Sequence, residues 1–439
     1  MTKPLWDKGG GALDAAAQRF CAGDDVTLDR ALFLYDVRAS KAHVAGLARI
    51  GVISSEEATA LRGGLDEVAT EFLTGAFVLD ERFEDGHSAI EHLLGERLGD
   101  IGRKVHTGRS RNDQVLVAAR LHLKDALVDL EARCLAAAGS CLARAAATAE
   151  VAMPGYTHLQ RAVPSSLGAL FAGHAEALLD DAETAAAARA RIDASPLGTA
   201  AGYGVNLPLD RDGVARELGF DRAQVSPIYA QNSRGKLELL AVQALHQALL
   251  SVRRLAWDLS LFTTAEFGFI LLPDAYTTGS SIMPQKRNPD VVELLRALPA
   301  AAEGAMAELS GLLSLPSGYH RDLQASKAPA IRAFARGLEG LALVPDLVAR
   351  LYFDEARMLA AITPDLHATD RAIELAGEGV PFRDAYRRAA AEAADPEGLA
   401  GRSAAASLRA RVSLGGAGNL GLERLEARAA ALRAAAARG

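Results

Sequence analysis

Residues 114–151 read QVLVAARLHLKDALVDLEARCLAAAGSCLARAAATAEV, and apolar side chains recur there at Val115, Ala118, Leu121, Ala126, Leu127, Leu130, Cys134, Ala138, Cys141 and Ala145. Steps of three and four residues place these on one face of an α-helix. A helix of this length outruns the ordinary globular range and fits a bundle with coiled-coil-like seams. Two more such stretches follow. One runs from about Pro164 to Ile192; the other, from about Lys236 to Phe269, carries Leu237, Leu240, Ala244, Leu245, Ala248, Val252, Leu255, Leu259 and Phe262. A fourth helix is expected from Pro289, with Asn288 as its N-cap and a kink at Pro299. Strand-like alternation is scarce. The expected fold is therefore all-α, built around a central bundle of long helices.

The breaks in periodicity suggest three parts: an N-terminal helical domain (1–107), the long-helix bundle (108–357) and a small C-terminal helical domain (358–439). Alanine lies on several faces of the long helices. One chain cannot cover them all, so a homo-oligomer is expected. Half of the 439 residues are hydrophobic and the formal charge is −7 with both signs interspersed, which leaves no electrostatic footprint for nucleic acid or an anionic membrane. No apolar run of about 18 or more residues is present, and no signal peptide is read, so a cytoplasmic location is expected. Cys21, Cys134 and Cys141 have no metal-binding spacing; the last two read as packed core thiols. His87, Glu91 and His92 resemble an inverted zinc motif with one residue too many, and no second cluster supports it. No metal is expected.

The segment Thr278-Gly-Ser-Ser-Ile-Met-Pro-Gln-Lys-Arg-Asn-Pro-Asp290 concentrates the chemistry. A helix start beside Lys286 can receive a carboxylate whose charge grows during a reaction, and Ser280 or Ser281 can supply an oxygen base. That is equipment for removing a proton from a carbon beside a carboxylate. A polar surface loop is the blander reading, and Ile282-Met283 argues against it. Four other loops carry suitable groups. His106-Thr-Gly-Arg-Ser-Arg-Asn-Asp-Gln114 offers the guanidinium forks of Arg109 and Arg111, with neutral hydrogen-bonding groups at Ser110 and Asn112. Gly155-Tyr-Thr-His-Leu-Gln-Arg161 offers His158, an acid–base candidate on chemistry but more often structural when it stands alone. The Gly-rich Ser195–Gly204 run lacks the ending of a P-loop. Tyr319-His-Arg-Asp-Leu-Gln-Ala-Ser-Lys327 could place Tyr319, Gln324 and Lys327 on one helical face.

These motifs together resemble the fumarase/aspartase superfamily of lyases. The Gly279–Pro289 loop is the superfamily signature. The 106–114, 155–160 and 319–327 runs, with Gly379-Val380-Pro381-Phe382-Arg383 in the tail, make the chain similar to the argininosuccinate lyase family. The resemblance covers nearly the whole chain. It implies a three-domain, all-helical subunit, a homotetramer with active sites shared between subunits, a small-molecule substrate and no cofactor. The implied reaction is reversible β-elimination of argininosuccinate to arginine and fumarate. Ser280 matches the base, Lys286 and Asn288 the groups that stabilise the aci-carboxylate, His158 the catalytic histidine and Glu293 its carboxylate partner. Ser110, Arg111, Asn112 and Thr157 match residues that hold the succinyl carboxylates. Arg234, Tyr319, Gln324 and Lys327 match substrate contacts, and His87 a histidine near the site.

Two departures bear on the leaving group. The chain reads Leu5-Trp6-Asp7-Lys8-Gly9 where the family has Trp-Gly-Gly-Arg. It also reads Cys21-Ala22-Gly23-Asp24-Asp25 where a family serine touches the amino-acid end of the substrate. Asp24 or Asp25 could hold an α-ammonium there, or only cap the next helix. A lyase for another N-substituted aspartate is the alternative that these departures leave open. A catalytically silent structural protein of the same fold is a third reading, opposed by the intact Ser280, His158 and Lys286.

Overall fold

The computed structural model describes residues 14–395 and 397–438, so the Asp7-Lys8 departure lies outside the described residues. The fold is all-α: long helices at Arg111–Ala147, Leu167–Ile192, Lys236–Phe262 and Lys327–Ala349 carry it, and the strands among the described residues are short two-stranded pairs. The apolar stripe read from residues 115–145 is buried throughout, with Leu127, Leu130, Cys134, Ala138 and Cys141 fully shielded. Burial of such a face, not intrinsic helix propensity, holds helices of this length.

Several expected boundaries shift. The segment 152–166, expected to be a loop followed by a helix from Pro164, is a β-hairpin of Ala152–Thr157 and Gln160–Ser166, and the helix starts at Leu167. Pro164 sits in the second strand, opposite Pro154. The helix expected from Lys236 to Phe269 stops at Phe262. Its end is tied by Phe269 N donating to Phe262 O, while Phe262, Phe267 and Phe269 pack together. The helix after the serine loop is Asp290–Ala297, with Pro289 as its N-cap and no side-chain cap bond. Asn288 does not cap it, because its amide donates instead to Gly279 O at 3.3 Å. At Pro299 the chain begins a separate helix, Pro299–Leu312, rather than bending one.

Contacts cluster into two compact units, and the division falls inside the long helices. The first comprises residues 1–129, 185–245 and 301–336. Its core gathers Phe33, Leu47, Leu61, Leu65, Ile90 and Leu94 from the helices Asp25–Arg49, Ser55–Thr74 and Gly86–Leu98. The second comprises residues 130–184, 246–300 and 337–439. There Gly168 lets the start of its helix lie against the end of the Arg111–Ala147 helix: a Cβ at Gly168 would meet Ala149 Cα at 2.6 Å and Ala145 O at 2.7 Å.

One buried polar stripe organises the first unit. Asp29, Asp36, Ser40 and His43 recur at helical spacing along Asp25–Arg49, and all four are buried. Asp29 accepts from Gly86 N at 3.0 Å and from Lys327 Nζ at 2.7 Å. Asp36 bonds His87 Nδ1 and accepts from Gln114 at 2.9 Å. Ser40 accepts from Arg109 Nη1 at 2.9 Å, and His43 Nε2 donates to Thr107 O at 2.8 Å. A single helix face thus pins three stretches, around 86–87, 107–114 and 327.

Two outcomes follow from this packing. Gly168→Ala drives a methyl into backbone that cannot yield, and should destabilise by about 1–3 kcal/mol, read as a lower melting temperature with unchanged helical circular dichroism. Lys327 Nζ is also 2.8 Å from Asp25 Oδ1, so Lys327→Met leaves two carboxylates together without their cation. The loss should be on the order of 3 kcal/mol. Burial already raises the Asp25 carboxyl, with Lys327 opposing it. Removing the lysine raises it further, so ionisation then works against the native state. The melting deficit should be full on the alkaline side of the raised Asp25 carboxyl and shrink as pH falls through it; a deficit independent of pH would contradict this.

Candidate active site

The first unit holds a cleft of about 380 Å³ lined by residues from five separate stretches. Seven residues matched to substrate contacts line it together: Ser110, Arg111, Asn112, Arg234, Tyr319, Gln324 and Lys327. Ser110 precedes the first turn of the Arg111–Ala147 helix, and its Oγ accepts from Asn112 N at 3.2 Å. Asp113, fully buried, accepts from Ser110 N, Gly198 N and Ala200 N, each at 2.9 Å. The Gly-rich loop therefore spends these two amides on the chain's own carboxylate. Arg111 donates to Glu84 at 3.0 Å and to Asp85. The guanidinium of Arg234 lies 5.7 Å from the Tyr319 ring centroid, and its Nη1 is buried with no hydrogen-bond partner among the described residues.

The cleft also contains Asp29 and Asp85, which the sequence did not single out, together with Asp25, His87, His106, Arg109 and Arg321. Asp24 precedes the Asp25–Arg49 helix without a side-chain cap bond, whereas Asp25 pairs with Lys327. Gln324 and Arg321 donate to the carbonyl of Cys21, so the end of the Ala15–Ala22 helix is tied to the same region. The signal for Asp29 and Asp36 was their seven-residue spacing, which puts two acids on the inward face of an amphipathic helix. Burial and Arg109 hold His106 low, at about 4, while Asp36 raises His87 against the opposing effect of burial.

The remaining matched residues belong to the second unit, and none of them lines this cleft. His158 and Leu159 form the two-residue turn of the 152–166 hairpin, at φ 55° and 58°. Positive φ at both positions marks a type I′ turn, ordinarily filled by Asn-Gly. Non-glycine residues held so cost about 1–3 kcal/mol each. The Tyr156 ring, packed on Phe262 and Phe267, and the Arg161 bond to Ala361 O anchor the hairpin. Thr157 pairs with Gln160 across the turn, and the His158 side chain is exposed.

The serine loop is an exposed hairpin tip, with Thr278–Gly279 paired to Arg287–Asn288 and Ile282 83 % exposed. Ser280 Oγ accepts from Met283 N at 3.1 Å and from Ile282 N at 3.4 Å. Two amide donors on one hydroxyl oxygen favour its alkoxide, as a base requires. Lys286 follows in the same tip and is exposed. Glu293 lies in the first turn of the Asp290–Ala297 helix, 3.5 Å from Arg296 Nη2. No group of His, Cys, Asp and Glu suited to a metal ion occurs among the described residues. Cys134 and Cys141 are buried free thiols pushed up by that burial.

Comparison with known proteins bears on the family and the fold. A family model described as "Lyase" matches residues 15–304. Argininosuccinate lyase of Xanthomonas campestris pv. campestris (strain B100) is 58 % identical over 433 residues, 99 % of this chain and 100 % of that protein. The Stenotrophomonas maltophilia (strain R551-3) argininosuccinate lyase is 56 % identical over 98 % of this chain and 100 % of its own length. Among solved structures, an EDDS lyase in complex with formate matches with a TM-score of 0.80 at 24 % identity, covering 98 % of this chain and 93 % of that one. A class II fumarase from Schistosoma mansoni matches with a TM-score of 0.71 at 17 % identity, covering 89 % of each. At these low identities the structural matches speak for the fold. The full-length identity to the curated relatives settles the family: this chain belongs to the argininosuccinate lyases.

Proposed function

We propose that the chain catalyses the reversible β-elimination of argininosuccinate to arginine and fumarate. The observation that carries this reading is the cleft of the first unit, which gathers Ser110, Arg111, Asn112, Arg234, Tyr319, Gln324 and Lys327 in one place. Its guanidinium and amide donors suit carboxylates, and Asp25 and Asp29 beside Lys327 suit a zwitterionic amino-acid end.

In the forward direction Ser280 takes the proton from the succinyl carbon beside a carboxylate. The carbon acid is far weaker than the conjugate acid of the base, so the charge that builds on that carboxylate must be stabilised as it forms. Lys286 and Asn288 supply that stabilisation. The carbon–nitrogen bond then breaks, its electron pair goes to the guanidino nitrogen, and His158 delivers the proton. Arginine and fumarate leave, and no cofactor is required.

Within one chain Glu293 stands beside Arg296. Its pairing with His158 belongs to a homotetramer in which different subunits contribute the 106–114, 155–161 and 278–290 segments to each site. Residues 108–357 form the oligomerising and catalytic bundle in this reading, with the flanking domains as expected from the sequence, in the cytoplasm. The replacement of the family serine by the Gly23-Asp24-Asp25 run motivates the second reading, a lyase for another N-substituted aspartate.

Fumarate absorbs in the near ultraviolet. Purified protein should raise that absorbance with argininosuccinate, and more slowly or not at all with other succinyl-amine substrates; no rise with argininosuccinate would end the reading. Ser280→Ala should lower kcat by several orders of magnitude while argininosuccinate still binds, as measured by calorimetry. Near-normal turnover in that variant would remove Ser280 from the base role.

A further inference from the structure

His87 stands at the start of the Gly86–Leu98 helix, 7 % exposed, and forms part of the cleft wall. Its Nδ1 bonds Asp36, while Nε2, on the opposite edge of the ring, is buried with no hydrogen-bond partner among the described residues. Asp36 cannot turn away, because Gln114 and Ser40 also donate to it, at 2.9 and 3.5 Å. A buried ring nitrogen left unpaired is costly unless something in the cleft meets it.

The charged groups around the ring are accounted for separately. Asp29 is held by Lys327, and Asp85 by Arg111. His106, on the turn before the Arg111–Ala147 helix, is kept neutral by burial and by Arg109. Asp36, with its neutral donors Ser40 and Gln114, is the acid that bonds His87 directly.

We infer that His87 is a binding residue for a substrate carboxylate in this cleft, its Nε2–H donating to a carboxylate oxygen, with Asp36 as its positioning residue. The inference rests on the proposed reaction, since argininosuccinate brings carboxylates at both its succinyl and amino-acid ends. With His87 an imidazolium, both ring nitrogens donate, one to Asp36 and one to the ligand. Once a proton is lost, Asp36 keeps the remaining one on Nδ1, and Nε2 turns a lone pair towards the carboxylate. Affinity is therefore present below the His87 pKa and lost as pH rises through it. That pKa lies above the usual histidine value, because Asp36, together with Asp85 and Asp29, outweighs the effect of burial.

The test is the pH dependence of KM for argininosuccinate, with inhibition by fumarate and by arginine measured in parallel. The intact enzyme should show KM rising on the alkaline side of the histidine range. In His87→Gln, KM at neutral pH should rise about ten-fold, the alkaline rise should vanish, and kcat should change much less than KM. Asp36→Asn should move the rise to lower pH without abolishing it, a shift that a purely structural role would not produce. If fumarate inhibition follows the same pH dependence, the contact is to the succinyl end; if arginine inhibition does, it is to the amino-acid end. An alkaline rise that persists in His87→Gln overturns the inference, and so does one that stays in place in Asp36→Asn, so either variant decides if the other fails to fold. Absence of turnover in the intact enzyme would sink the proposed reaction instead, and the pH dependence of fumarate binding would still report on His87.

Discussion

The row of buried polar groups on the Asp25–Arg49 helix is the constraint on which the cleft depends. Asp29 and Asp36 are 2 % and 1 % exposed, where an unpaired carboxylate would be prohibitive. Each is instead a shared acceptor. Asp29 joins the start of the Gly86–Leu98 helix to Lys327, and Asp36 joins His87 to Gln114. The same bonds that satisfy the acids bring together stretches hundreds of residues apart in sequence. A buried ion pair adds little net stability compared with apolar packing, but breaking one is expensive. The stripe therefore fixes which loops meet more than how tightly the fold holds.

The second unit uses a different economy. Its 152–166 and 278–288 segments are short hairpins with exposed tips rather than buried networks. The His158-Leu159 turn keeps two ordinary residues at positive φ, anchored by an aromatic cluster at its base. The serine tip turns its backbone inward, so that two amides face Ser280 Oγ while Ile282 points to solvent. The exposed apolar Ile282 beside Ser280 suits a loop that acts against something outside its own unit, as the proposed shared site requires.

Much of the architecture was legible because 3.6-residue periodicity survives over long stretches: the face from Val115 to Ala145 is buried as read. The 152–166 hairpin was not legible, since His158-Leu159 lacks the Asn-Gly chemistry of its turn and two prolines interrupt the alternation. The cap at residue 288 was misplaced because a local bond to Gly279 O competes for the asparagine side chain. Seven residues that the loop motifs proposed as substrate contacts line one cleft. Asp29, Asp36 and Ser40 were passed over because polar residues within a helix ordinarily face water; only their common face, pointing inward, reveals them.

In the proposed site the cleft receives the substrate's carboxylates while Ser280 meets the succinyl carbon within an assembled oligomer. A crystal structure of Ser280→Ala soaked with argininosuccinate tests this most directly. It should show the succinyl end against Ser110, Arg111 and Asn112, the amino-acid end towards Asp25 and Lys327, and the Cβ of residue 280 from a neighbouring subunit touching the carbon that loses its proton. Substrate bound elsewhere, or no residue 280 near that carbon, would contradict it.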